Sequence, residues 1–168
     1  MTAAAFAVSL FAAHPALAQS AAAANKVAVE GGYQFQWLDT AGSSDSFPAG
    51  WFAGATGAVN SQWNWVGQID GSNKNGGHTV SFDGGVRGKL PVMAMHTPFW
   101  EALVGGTNSG GGGSSTTGFN VTIDAGTVIP VNSMIGISVF GGYRYFRIDG
   151  VNTNGLRIGA GVNIPLGK

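Results

Sequence analysis

The chain has 168 residues, of which only 10% are charged, with 8 basic against 8 acidic side chains and no cysteine. Soluble domains carry roughly 25% charged residues, so this composition suits a water-facing exterior poorly. Zero net charge excludes an electrostatic footprint for nucleic acid. The lack of cysteine excludes a disulfide framework, a thiolate metal site and a cysteine nucleophile.

The segment Ala3–Ala13 is almost wholly apolar and is too short for a transmembrane helix. Ala16-Leu17-Ala18 follows in a small-x-small pattern, then Gln19. This predicts a secretory signal peptide over residues 1–18, although no Lys or Arg precedes the apolar core. Residues 19–25 form a small polar lead-in, and residues 26–168 form the folded domain.

That domain alternates in polarity with a period of two, the signature of a strand with one apolar and one polar face. Eight strands are expected. The first, Lys26–Leu38, sets Val27, Val29, Tyr33, Phe35 and Trp37 against Glu30, Gln34 and Gln36. Asp39–Pro48 reads as a loop. The second strand, Ala49–Val59, is Gly- and Ala-rich after Trp51 and Phe52, and Asn60-Ser61 reads as a tight turn. The third, Gln62–Ile69, sets Trp63 and Trp65 against Asn64 and Gln68, with Asp70 next on the polar face. Gly71–Gly77 reads as a polar loop.

The fourth strand, His78–Leu90, is the clearest, with Val80, Phe82 and Val86 opposite Ser81, Asp83 and Arg87. Pro91–Pro98 links it to the fifth, Phe99–Gly106, where Trp100, Ala102 and Val104 oppose Glu101. Thr107–Thr117, with Gly110–Gly113 at its centre, reads as the most flexible loop. The sixth, Gly118–Val128, sets Phe119, Val121 and Ile123 against Asn120, Thr122 and Asp124. Pro130–Ser133 is a short turn. The seventh, Met134–Ile148, sets Ile137, Val139, Tyr143 and Tyr145 against Ser138, Phe140 and Arg144. Asp149–Asn154 reads as a loop, and the eighth strand is Gly155–Leu166, with Leu156, Ile158, Val162 and Ile164 against Arg157 and Asn163.

Strands of about ten residues match a tilted bilayer crossing. The expected links alternate between loop-like and tight, as between the outer and periplasmic ends of a membrane barrel. Periodicity alone admits two barrels: a transmembrane one with a polar lumen, or a secreted lipocalin-like one holding an apolar ligand. Charge placement favours the first. Glu30, Asp83, Arg87, Glu101, Asp124, Arg144 and Arg157 all fall on the polar face and are expected to pair as a lumen network. Trp37, Trp51, Tyr143 and Tyr145 fall near the loop ends, and Trp63 and Trp100 near the turn ends, as two interfacial girdles would.

The signal peptide, the eight amphipathic strands and the closing segment Gly155–Leu166 (GLRIGAGVNIPL) resemble the small OmpA/OmpX-like outer-membrane barrels. Gly50–Gly71, and Ser81–Gly88 followed by Thr97–Val104, resemble uncharacterised members of that superfamily. The resemblance covers residues 26–166. It implies an all-β, eight-stranded antiparallel up-and-down transmembrane barrel in the bacterial outer membrane. It also implies membrane lipids and the barrel-insertion machinery as partners, and a structural, envelope-integrity or loop-borne adhesion role. Such barrels usually end on an aromatic residue; this chain ends Ile164-Pro165-Leu166-Gly167-Lys168.

No enzyme, cofactor or metal is expected. A His78–Ser72–Asp70 grouping at the outer rim is the only arrangement resembling a catalytic triad. His96 has no acid beside it. Gly110–Gly113 lacks the Lys of a phosphate loop. Asp39 and Asp45 lack the ligand density of a calcium loop.

Overall fold

The computed structural model describes residues 27–40 and 42–166. The expected signal peptide and lead-in lie outside them. Eight antiparallel strands pair in sequence order and the last closes on the first, β1(Val27–Thr40), β2(Ser43–Ala58), β3(Trp63–Lys74), β4(Gly77–Lys89), β5(Thr97–Gly111), β6(Ser114–Pro130), β7(Gly136–Ile148) and β8(Val151–Leu166). Closure runs in unbroken register from Val27↔Leu166 to Thr40↔Thr153. It leaves no strand edge to pair with another chain.

The faces follow the alternation. Phe82, Val104, Ile123, Leu156 and Ile158 stand exposed on the outside, while Glu30, Gln34, Asp83, Glu101, Asp124, Arg144 and Arg157 are buried inside. This is the reverse of a soluble barrel with an apolar interior, so the lipocalin-like alternative does not fit. The inside is not purely polar. Phe52, Phe99, Leu103 and Phe146 are buried with the charges.

The links differ from expectation. The segments read as loops, Asp39–Pro48, Gly71–Gly77, Thr107–Thr117 and Asp149–Asn154, are mostly strand. Thr107 pairs with Gly118 and the ladder runs on to Gly111↔Ser114. Asn73 pairs with His78 and Lys74 with Gly77. Each of these hairpins closes in two residues, such as Asn75-Gly76, Gly112-Gly113 and Asp149-Gly150. Asn75, Gly76, Gly112, Gly113, Asp149 and Gly150 all have positive φ, the backbone that Gly, Asn and Asp supply in tight hairpins. Ladder hydrogen bonds come from the backbone, so Gly, Ser and Thr extend a strand whose neighbour is already aligned. The links at the other end, residues 59–62, 90–96 and 131–135, are the longer ones. The expected asymmetry of loop length is therefore inverted.

A bulge sits in the β1–β2 pair, where the register moves from Gln34↔Gly50 to Gln36↔Phe47. Pro48 falls within it, at one of the few sheet positions that tolerate a missing N–H.

Candidate functional site

One ladder carries much of the interior chemistry. Arg87 pairs with Glu101 across β4–β5, Glu101 with Asp124 across β5–β6, and Asp124 with Gly142 across β6–β7. Gly142 in turn opposes Arg157 on β8, which opposes Gln36 on β1. Glycine is required at Gly142, because a Cβ there would overlap the Asp124 carboxylate; Gly105 makes the same room beside Asp83.

Around this ladder the charges form two clusters and a bridge. In the first, Arg87 holds Glu30 with both terminal nitrogens, at 2.6 and 3.2 Å, and Glu101 Oε2 through Nε at 2.8 Å. The Phe99 ring stacks 4.1 Å from the guanidinium carbon. In the second, Arg144 grips both oxygens of Asp70 at 2.7 Å each and reaches Asp83 at 2.9 Å. Its Nε donates to Thr122 Oγ1 at 2.7 Å. Arg157 joins the two. It binds Asp124 through Nε and Nη2 and lies 3.7 Å from Glu101, 3.9 Å from Asp70 and 3.5 Å from Gln34 Oε1. Two-pronged contacts between Arg and carboxylate are the strong form of this interaction.

All seven residues expected inside are thus brought together. Sequence reasoning left Asp70 out of the network, although Arg144 uses it most fully. Asp70 stood on the polar face in the alternation, but just beyond the expected end of its strand. Gln34, which donates to Asp70 Oδ2 at 2.9 Å, was legible only as an inward polar residue. Five buried acids therefore face three buried guanidiniums, and Asp83 Oδ1 has no hydrogen-bond partner among the described residues.

Below Arg87 and Phe99 the barrel opens into a vestibule of about 340 Å³ lined also by Thr56, Asn64, Lys89 and Asn163. Above it the interior is filled by side chains, as expected for eight strands. The rim grouping does not assemble. Asp70 and Ser72 are buried inside, whereas His78 is exposed on the opposite side of the wall. No acid, His or Cys cluster able to hold a metal occurs among the described residues.

The tryptophans and tyrosines expected in the girdles point outward. Trp63 and Trp100 pack edge-on at 5.2 Å near the end that carries the longer links. Trp65 stands beside them and belongs to the same group, though it was not expected there. Towards the hairpin end, Trp37 faces out, Tyr143 Oη donates to Asn154 Oδ1, and Tyr145 Oη donates to Asn152 Oδ1 at 2.7 Å. Trp51 is mid-strand rather than terminal, because β2 begins at Ser43 and Trp51 pairs with Tyr33.

No family model and no curated protein matches this sequence. Solved structures do match the fold. The chain is similar to Neisserial surface protein A (NspA), with TM-score 0.75 and 13% identity over 84% of this chain and 97% of that one. It is also similar to Ail, the attachment invasion locus protein of Yersinia pestis, with TM-score 0.55 and 16% identity over 82% of this chain and 97% of that one. Polar lumen, apolar exterior, eight-strand closure and these likenesses agree: the chain has the fold of the small eight-stranded bacterial outer-membrane barrels.

Proposed function

We propose that the protein is a non-enzymatic structural barrel of the bacterial outer membrane that contributes to envelope integrity and does not conduct ions. The observation that carries this reading is the lumen. Arg87, Arg144 and Arg157 tie five carboxylates across it, with Arg144 and Arg157 each 1% exposed. A passage would have to break several charge-assisted hydrogen bonds at once.

Adhesion, the role implied by Ail's printed name, has less support. Its carrier would be the hairpin end, whose described turns are only two residues long. Ail is also solved with a heparin analogue, sucrose octasulfate. Here Lys74, His78 and Arg147 at that end are offset by Asp39, Asp45 and Asp149, so no basic patch for a polyanion exists among the described residues. Residues 1–18 would direct export, giving a mature chain that starts at Gln19, and β8 would present Leu166 to the insertion machinery.

Four measurements test the reading. The exported protein should fractionate with outer membranes and need detergent for release; recovery as a soluble periplasmic protein overturns it. N-terminal sequencing should begin at Gln19. In planar bilayers the wild-type chain should show no current steps, and cells lacking it should become sensitive to detergent. Steady cation-selective conductance, which five acids against three guanidiniums would favour, replaces the structural reading with a channel.

A further inference from the structure

The three longer links carry a chemistry unlike the hairpins at the other end. Residues 59–62, 90–96 and 131–135 contain no Asp, Glu, Lys or Arg. They are rich in apolar side chains that touch little else: Val59 is 67% exposed, Met93 66%, Met95 72%, Val131 60% and Met134 67%. Leu90 and Val92 are exposed with them. The opposite hairpins hold Asn, Gly, Asp and Ser at their tips. A turn that lives in water normally carries charge and little apolar surface.

Part of the backbone of these links is bonded internally. Two of them share the sequence Val-Asn-Ser, at 59–61 and 131–133, and the same internal bonding. The N–H groups of Val59 and Asn60 donate to Trp63 O at 2.9 and 3.2 Å, while Asn60 Oδ1 accepts from the N–H groups of Gln62 and Trp63 at 2.9 Å each. In the other, Val131 and Asn132 donate to Ile135 O at 2.9 and 3.1 Å, and Asn132 Oδ1 accepts from Met134 and Ile135 at 2.8 and 2.9 Å. The middle link closes on itself through Met93 and His96, which exchange two bonds at 3.0 and 2.9 Å. Each internal bond lowers the cost of leaving bulk water, and the N–H groups left over need the polar headgroups rather than the acyl core.

We propose that these links are a lipid-docking surface: they sit in the phospholipid headgroup layer of the inner leaflet of the outer membrane. The inference rests on the membrane-barrel reading above and adds to it where the barrel stops. Two features select a lipid plane over a protein partner. The two Val-Asn-Ser turns, joining β2 to β3 and β6 to β7, lie at opposite poles of the closed barrel, with the methionine link midway between them. One globular partner would cover one side; a plane touches all three. The surface also continues the outward Trp63, Trp65 and Trp100, residues suited to the edge of a bilayer. Flexible methionine side chains pack readily against disordered acyl chains.

The chain has no cysteine, so single spin labels report without background. Val59→Cys, Met93→Cys, Val131→Cys and Met134→Cys would each be labelled in the full chain refolded into phosphatidylethanolamine/phosphatidylglycerol vesicles. Asn75→Cys serves as the wet reference and Ile123→Cys as the lipid-wall reference. Relaxation by oxygen and by a water-soluble nickel chelate is then compared. The link sites should be shielded several-fold from nickel relative to site 75 and enriched in oxygen contact. If they match site 75 while site 123 is dry, the docking inference fails and the barrel reading stands. If site 123 is equally wet, the membrane reading itself fails. Links that are wet in pure vesicles but shielded in native outer membranes would mean a protein partner and would overturn the lipid assignment.

Discussion

Arg87 and Arg144 solve the same problem in different surroundings. Each binds two carboxylates and lies near a phenylalanine ring, Phe99 at 4.1 Å and Phe146 at 5.6 Å. Arg87 uses two long glutamates and borders the vestibule. Arg144 uses two short aspartates and Thr122, all deep inside. The difference teaches that the worth of a buried guanidinium depends on what its partners do when it is gone. Water from the vestibule can reach Glu30 when Arg87 is removed. Nothing comparable lies beside Asp70 and Asp83.

Removing the enclosed partner should therefore have the largest effect. Arg144→Ala takes the guanidinium from both Asp70 and Asp83, leaving Asp70 with only Gln34, Gln68 and Arg157 at 3.9 Å, and should cost about 3–5 kcal/mol in urea unfolding from lipid. Equal costs for Arg144→Ala and Arg87→Ala would break the comparison, because access to water would then not matter. Ile123→Lys comes next and sets the scale from outside the wall. It places a charge on the lipid face and should cost about 2–4 kcal/mol. Arg87→Ala should cost less, about 2 kcal/mol, the value of charged hydrogen bonds partly replaced by water. Adding a potassium probe in bilayers sharpens the point: any leak in Arg144→Ala should exceed that in Arg87→Ala.

The smallest effects belong to the water-exposed hairpins. Gly112 has φ +62°, a conformation asparagine accepts, so Gly112→Asn should stabilise by about 0.4–1 kcal/mol through loss of unfolded-state freedom. Lys74 bonds Asp45 at the hairpin end and holds its carboxyl below the usual range. A carboxyl so depressed adds stability only above its unfolded range and loses it as the pH falls through the folded one. Lys74→Ala should move the Asp45 titration upward by NMR while leaving unfolding nearly unchanged, since exposed pairs contribute little.

Much of this was legible in the chain. Strict alternation in His78–Leu90 and Gly118–Val128 gave both the strands and the facing, because the pleat leaves a side chain only two directions. Confinement of Glu30, Asp83, Arg87, Glu101, Asp124, Arg144 and Arg157 to one face marked the interior. The strand ends were not legible. Thr107–Gly111 carries no apolar period, since beyond the lipid both faces meet water, and only the aligned neighbour strand keeps it extended. Asp70 was missed because its strand was expected to end at Ile69, five residues short of Lys74. The inward Phe52, Phe99 and Phe146 escaped because an apolar residue on a polar face has no signature until the guanidinium it lies against is placed.

The ion pairs also say something about time. Glu30 meets Arg87 from β1 to β4, Asp70 meets Arg144 from β3 to β7, and Asp124 meets Arg157 from β6 to β8, at separations of 57, 74 and 33 residues. None of these pairs joins neighbouring strands. On an open, half-assembled sheet Glu30 and Arg87, and Asp70 and Arg144, stand apart on one surface and face each other only once β1 has met β8, whereas Asp124 reaches Arg157 across Gly142 alone. Struts that form after closure are absent from a transition state that precedes it. They leave the rate of assembly largely untouched and slow disassembly. The network is thus a latch, set by the last event of folding, and its expected signature is a barrel that inserts at an ordinary rate and opens very slowly.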